Sequence, residues 1–116
     1  MSKLILIADD DPANRDILKR RLERRGYATV TVENGEQALV ALEAHAFDAV
    51  LLDSLMPNLS GLNVLRRMRA GMDATRVVMV SGKALAADVD EALAQGADGY
   101  VIKPVDFDRL VALIEG

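Results

Sequence analysis

The sequence contains no cysteine and no tryptophan, and its 116 residues include only two Phe and two Tyr. Without cysteine the chain has no disulfide framework, no thiol chemistry and none of the ligands of a zinc ribbon. Because aromatic residues are so few, the core must be built from Leu, Val, Ile, Ala and Met, and 51% of the chain is hydrophobic.

Long apolar stretches and an excess of basic charge are also absent. No apolar run approaches the roughly 20 residues that span a bilayer, and the N-terminus lacks the features of a signal peptide. Fourteen basic against 18 acidic residues give a net charge of −4, which does not favour direct nucleic-acid binding by this domain. We therefore expect a cytoplasmic protein that does not enter membranes, with residues 1–116 forming a single domain.

Short apolar runs alternate along the chain with segments that have helical spacing of apolar residues. Asp11, Asn34 and Asp106 precede such segments and fit N-cap positions, and Pro12 fits the first turn. The predicted strands are 4–8, 27–32, 49–52, 76–80 and 100–102. Residues predicted on the apolar stripes of the first and fourth helices are Ile17, Leu18 and Leu22, and Leu85, Val89 and Leu93.

Five strands alternating with five helices predict an α/β fold with helices on both faces of a parallel sheet. Right-handed crossovers leave few topologies, and we expect a doubly wound (βα)5 flavodoxin-like fold with strand order 2-1-3-4-5. This order places the ends of the first and third strands side by side, which is where ligands bind in open sheets of this kind.

Polar residues follow the predicted strands at the points where those strands end. Asp9 and Asp10 follow the first strand, Asp53 the third, Ser81 the fourth and Lys103 the fifth. In a parallel sheet these residues share one edge, where three carboxylates would repel one another unless a cation lay between them. Hard oxygen ligands with room for water favour Mg²⁺ at such a site.

A carboxylate beside Mg²⁺, an ammonium group and a hydroxyl is equipped to accept a phosphoryl group. The acceptor predicted here is Asp53, with Lys103 and Ser81 contacting the phosphoryl oxygens. The added charge could draw Ser81 inward and shift the nearby surface, which describes a switch rather than a turnover site.

Four motifs carry a resemblance to a known family and cover essentially the whole chain. They are LIADDDP at 6–12, LLDSLMP at 51–57, VSG at 80–82 and GADGYVIKP at 96–104. Together, and in this order, they closely resemble the receiver domains of two-component response regulators.

The resemblance implies a role for each motif residue. Asp53 would be the phosphoacceptor and a metal ligand, with Asp10 as the main carboxylate ligand and Asp9 acting through water. The remaining implied features are the backbone carbonyl of Leu55 as a metal ligand, Ser81 and Lys103 as phosphoryl-binding residues, Tyr100 as an aromatic switch that turns inward when Ser81 moves, and a cis peptide bond between Lys103 and Pro104.

The resemblance also implies partners and a lifetime for the modified state. Phosphate would come from a phosphohistidine of a sensor histidine kinase or histidine phosphotransfer protein, with Mg²⁺ or alternatively Mn²⁺ bound. The chain would not be an enzyme beyond slow autodephosphorylation, and the last two helices would offer a face for a homodimer. Leu55 and Lys83 depart from the commonest pattern at positions that tune dephosphorylation, and Ser81 replaces a frequent threonine.

Two other functions remain open from the sequence. Asp9 and Asp11 have the spacing of the nucleophile pair in haloacid-dehalogenase-type phosphatases, although Pro12 favours Asp11 as a helix start. The other alternative is a receiver-like scaffold that binds partners without being phosphorylated. Replacing Asp53 with Asn separates the phosphatase, which would depend on Asp9, from a phosphoacceptor.

Overall fold

The computed structural model describes residues 2–82 and 85–116, in which five strands alternate with five helices. The strands are β1 (Leu4–Ala8), β2 (Ala28–Val32), β3 (Ala49–Asp53), β4 (Arg76–Ser81) and β5 (Gly99–Ile102). The helices are α1 (Pro12–Arg24), α2 (Gly35–Ala44), α3 (Gly61–Ala70), α4 (Ala86–Ala94) and α5 (Phe107–Glu115). None of these helices is long and apolar enough to cross a bilayer.

The strands form one parallel sheet in the order β2-β1-β3-β4-β5, which confirms the predicted topology. Alternate residues of β1, β3 and β4 point to opposite faces, and both faces are buried under helices. Leu6, Val50 and Met79 belong to the core shared with α2, α3 and α4. The opposite core contains strand residues such as Ile7 and Leu51 together with Leu18 and Leu22 of α1, and Phe107, Leu110 and Ile114 of α5.

The three predicted N-caps are confirmed by side-chain hydrogen bonds. Asp11 Oδ1 accepts from the Ala13 amide at 3.0 Å, and Asn34 Oδ1 accepts from Gln37 at 2.8 Å. The third cap, Asp106, accepts from the Arg109 amide at 3.2 Å. Each such cap stabilises its helix by about 1 kcal/mol because it satisfies an otherwise unpaired backbone donor.

Two predicted apolar stripes were partly wrong. In α1 the sheet contacts are made by Leu18 and Leu22, which lie one turn apart, while Ile17 is 53% exposed because it is one position off that stripe. Leu85 precedes α4 as its N-cap and is 64% exposed. In α4, Leu93 is 46% exposed and the small residue Ala92 is buried in its place.

The start of α3 lies directly against the end of β3. Gly61 is the first residue of this helix, and a Cβ there would overlap the backbone carbonyl of Asp53 far inside van der Waals contact. Ser60 caps the helix by accepting from the Asn63 amide at 3.3 Å. This close approach fixes the backbone position of Asp53.

Gly61→Ala is expected to lower the free energy of unfolding by about 2 kcal/mol or more, because backbone on both sides must move to admit the methyl group. Gly71→Ala is the matched control, since its Cβ would meet nothing nearer than 3.4 Å and its φ of −83° suits any residue. Urea denaturation of both variants measures the difference. Equal stability of the two variants would contradict the close packing at Gly61.

Candidate functional site

The carboxyl ends of four strands bring the predicted site residues to one edge of the sheet. Asp53 is the last residue of β3 and lies opposite Val80 of β4, one residue before Ser81. Asp9 follows β1, and its amide donates to Val32 at the end of β2. Within residues 2–82 and 85–116, the buried polar or charged side chains are those of Asp9, Asp53 and Ser81.

Three carboxylates at this edge form a candidate metal site. Asp9, Asp10 and Asp53 each offer an oxygen, and these oxygens lie within 4.8 Å of one another. Asp9 and Asp53 are buried, whereas Asp10 is exposed and leaves one side accessible to water. An all-oxygen donor set that keeps room for water fits Mg²⁺ better than it fits softer metals.

Asp9 is held in place by hydrogen bonds to both of its carboxylate oxygens. Oδ1 accepts from the Asp11 amide at 2.9 Å, and Oδ2 accepts from Asn14 Nδ2 at 3.0 Å. Arg15 donates to the Asp9 carbonyl at 2.8 Å and lies 3.6 Å from Glu33. Asn14 and Arg15 were not predicted as site residues, and their only signal in the sequence is their polarity in the first turn of a helix directly behind an acidic pair.

Lys103 supplies the positive charge at the centre of the site. Its Nζ lies 3.3 Å from Asp9 Oδ2 and 3.4 Å from Asp53 Oδ2. The Lys103 amide donates to the Ser81 carbonyl at 2.8 Å, and the Lys103–Pro104 peptide bond is cis. Burial alone would lower the pKa of Lys103, but attraction to Asp53 and Asp9 outweighs it, and the pKa is raised. Lys103 therefore remains a cation throughout the physiological range.

Asp53 has an unusually high proton affinity for a carboxyl group. Burial is the largest cause and the charge of Asp9 is the second, and together they raise the pKa of Asp53 to about 6. The Leu55 amide, 3.2 Å from Asp53 Oδ1, and the Lys103 ammonium act in the opposite direction. At neutral pH Asp53 is thus mostly ionised, and its negative charge is held at a cost that a cation in the pocket would reduce.

Ser81 and Tyr100 lie on the α4 side of this edge. Ser54 donates a hydrogen bond to Ser81, with 2.6 Å between the two Oγ atoms, and this contact was not predicted from the sequence. Tyr100 is only 6% exposed and lines a cavity of about 180 Å³ together with Ser54, Met79 and Ala92. The side chain of Tyr100 is turned inward in the structure, and its predicted movement with Ser81 stays a prediction.

Leu55 and Lys83 are the two remaining predicted site residues. The side chain of Leu55 is exposed, and its backbone amide contacts Asp53. Lys83 lies outside the described residues, so its predicted contact with the site stays a prediction.

Comparison with known proteins places this geometry in a family. The family model of the response regulator receiver domain matches residues 5–115. The chain belongs to this family. Curated relatives of this receiver domain include the DNA-binding response regulator MtrA of Mycolicibacterium smegmatis, 38% identical over 98% of this chain and 50% of the relative. The transcriptional regulatory protein KdpE of Mycobacterium tuberculosis is 38% identical over 94% of this chain and 48% of its own length.

Solved structures agree with the family assignment. The receiver domain of the Francisella response regulator 1452 superposes with a TM-score of 0.94 at 28% identity, covering 98% of this chain and 94% of that one. The receiver domain of the sensor histidine kinase PA1611 from Pseudomonas aeruginosa, solved with a magnesium ion in its active site cleft, has a TM-score of 0.89 at 27% identity. That match covers 99% of this chain and 96% of the other. The flavodoxin-like receiver fold is confirmed, and this chain spans about half the length of the curated relatives it matches.

The charge of Asp53 should make the stability of this receiver domain depend on pH. The folded carboxyl keeps its proton up to about pH 6, whereas the unfolded chain loses it near pH 3.8. Because the folded state binds this proton more tightly, the contribution of Asp53 to stability falls as pH rises between these values and stays low above them.

Asp53→Asn is therefore expected to raise the free energy of unfolding by about 1–2 kcal/mol at pH 7 without Mg²⁺, and most of this advantage should be lost as the pH falls to about 4. Urea denaturation from pH 4 to pH 8 measures the difference. Asp16→Asn, which removes an exposed carboxylate paired with Arg20, is the control and should change little. A stability gain that is the same at every pH would contradict the assignment to Asp53.

Proposed function

We propose that Asp53 accepts a phosphoryl group from a phosphohistidine on a partner protein. The observation that carries this proposal is the buried Asp53 carboxylate, which lies 3.4 Å from Lys103 Nζ and has the carboxylates of Asp9 and Asp10 within 4.8 Å. A purely structural role for Asp53 would not require three carboxylates to lie so close together, because they repel one another.

In the proposed transfer, an ionised Asp53 oxygen attacks phosphorus in line with the bond to the histidine nitrogen. The oxygen–phosphorus bond forms as the phosphorus–nitrogen bond breaks, and the ring nitrogen keeps the bonding electron pair. The imidazole leaves neutral when its other nitrogen carries a proton. Lys103 binds a phosphoryl oxygen from one side, and the Ser81 hydroxyl donates to another once it has moved toward the acyl phosphate.

Mg²⁺ or Mn²⁺ would be held by Asp10, Asp53 and the Leu55 carbonyl, with Asp9 acting through water. When bound, such an ion supplies positive charge to the phosphoryl oxygens. Its presence in the cleft of the PA1611 receiver domain supports this assignment. Asp9 suits an indirect role because both of its carboxylate oxygens already accept hydrogen bonds.

The phosphorylated state of Asp53 would act as a signal and not as an intermediate in the turnover of a substrate. Ser81 and Tyr100 would transmit the change to the surface formed by α4, β5 and α5. Slow autodephosphorylation would end the signal, and Leu55 and Lys83 would set the rate of that reaction. The apolar side chain of Leu55 cannot orient an attacking water.

The proposed partners are a sensor histidine kinase or a histidine phosphotransfer protein, and a second copy of the chain bound through α4 and α5. Residues 1–116 would act as one receiver domain in the cytoplasm, without contacting nucleic acid or membrane themselves. The name of MtrA describes a DNA-binding response regulator, and that of KdpE a transcriptional regulatory protein. These names support a role in signal-dependent regulation for this chain.

Incubation with acetyl phosphate and Mg²⁺ tests the proposed acceptor. Intact-mass measurement should show one added phosphoryl group on the wild-type protein, and Asp53→Asn should lower its formation about 100-fold or more, as expected for loss of a nucleophile. Asp16→Asn is the control and should label as the wild type does.

Chelation of the divalent ion should also lower the amount of phosphorylated protein, as Asp53→Asn does. If labelling survives in Asp53→Asn but disappears in Asp9→Asn, the phosphatase alternative is supported and the proposal is wrong. If the wild-type protein is never labelled with Mg²⁺ present, the scaffold alternative is supported.

A further inference from the structure

The hydrogen bond between Ser54 and Ser81 has a consequence for the switch. We propose that Ser54 is a positioning residue that holds the Ser81 hydroxyl away from Asp53, so that this bond must break before Ser81 can bind a phosphoryl group. The inference rests on the proposed function of Asp53 and adds a residue that sets the balance between two positions of Ser81.

Neighbouring side chains at the end of β3 face different surroundings. Asp53 contacts the Leu55 amide and Lys103, on the side of the acidic cluster. Ser54 instead contacts Ser81 and lines the same cavity as Tyr100. A Ser81 hydroxyl bonded to Ser54 is therefore directed toward the cavity side of the sheet edge.

The strand pairing keeps the two serines together. Asp53 pairs with Val80 in the register of β3 and β4, and the Ser54 amide lies 3.4 Å from the Val80 carbonyl. Continuing this register places Ser54 opposite Ser81. The distance of 2.6 Å between their Oγ atoms is at the short end of the range for hydroxyl hydrogen bonds, and Ser81 is fully buried.

The position of the Ser81 oxygen makes the two partners of Ser81 competitors. In the structure Ser54 donates to Ser81 Oγ at 2.6 Å, so the contact holds the oxygen of Ser81 beside Ser54. Ionised phosphoryl oxygens only accept hydrogen bonds, so Ser81 must move its oxygen toward Asp53 to donate to a phosphoryl group there. The contact with Ser54 is then lost, and the free energy of that contact opposes the switch.

Binding of beryllium trifluoride, a phosphoryl analogue, with Mg²⁺ tests this competition by isothermal titration calorimetry. Ser54→Ala removes a hydrogen bond that stabilises only the unliganded state. Because this bond no longer has to break, the variant should bind the analogue about three- to tenfold more tightly than the wild type. Ser54→Thr keeps the hydroxyl and should restore wild-type affinity. Ser60→Ala is the matched control, because Ser60 lines the same cavity but caps α3.

A double-mutant cycle separates positioning of Ser81 from a general effect of Ser54. In a Ser81→Ala background, Ser54→Ala should leave affinity for the analogue unchanged. In Mg²⁺-free urea denaturation, the same cycle should show a coupling of about threefold or more in the folding equilibrium constant. No coupling, unchanged or weaker analogue binding by Ser54→Ala, or the same gain in both backgrounds would overturn the inference.

Failure of this inference differs from failure of the proposed function. If the wild-type protein shows no Mg²⁺-dependent binding of beryllium trifluoride, the function proposed for Asp53 is wrong and the inference falls with it. If the wild type binds the analogue and Ser54→Ala does not bind it more tightly, only the role of Ser54 is wrong.

Discussion

Mutual repulsion among the carboxylates of Asp9, Asp10 and Asp53 is the constraint on which the site depends. Isolated in water these groups would separate, but β1 and β3 are adjacent central strands buried on both faces, and their ends cannot move apart. Lys103 offsets only part of the negative charge. The folded protein therefore carries an electrostatic cost that a bound cation reduces, so cation binding and folding stability are linked.

Much of this arrangement could be predicted from the sequence because it depends on local chemistry. Continuous apolar runs identify buried parallel strands, and the residue after each run must then lie at the carboxyl edge of the sheet. Asp11, Asn34 and Asp106 are helix caps for reasons confined to a few neighbouring residues. For these features, spacing and residue type were enough.

The features that the sequence did not reveal depend on partners distant along the chain. Arg69 donates to the carbonyls of Asp73, Thr75 and Gly96, and so fastens the end of α3 to the turn before β5. Ser54 meets Ser81 only because of the register between β3 and β4. Helix α4 buries Ala92 rather than Leu93 because its rotation is set by packing against the sheet, and a spacing of four residues does not determine that rotation.

The contact between Gly61 and the Asp53 carbonyl determines how a change at Asp53 can spread. Because α3 begins directly against this carbonyl, the backbone of Asp53 has no room to retreat toward that helix when its side chain gains bulk. Any displacement of this backbone is therefore directed away from α3, and Asp53 is paired there with Val80 of β4. Because Gly61 has no side chain, the first turn of α3 can pack directly against the Asp53 carbonyl and block its movement toward that helix.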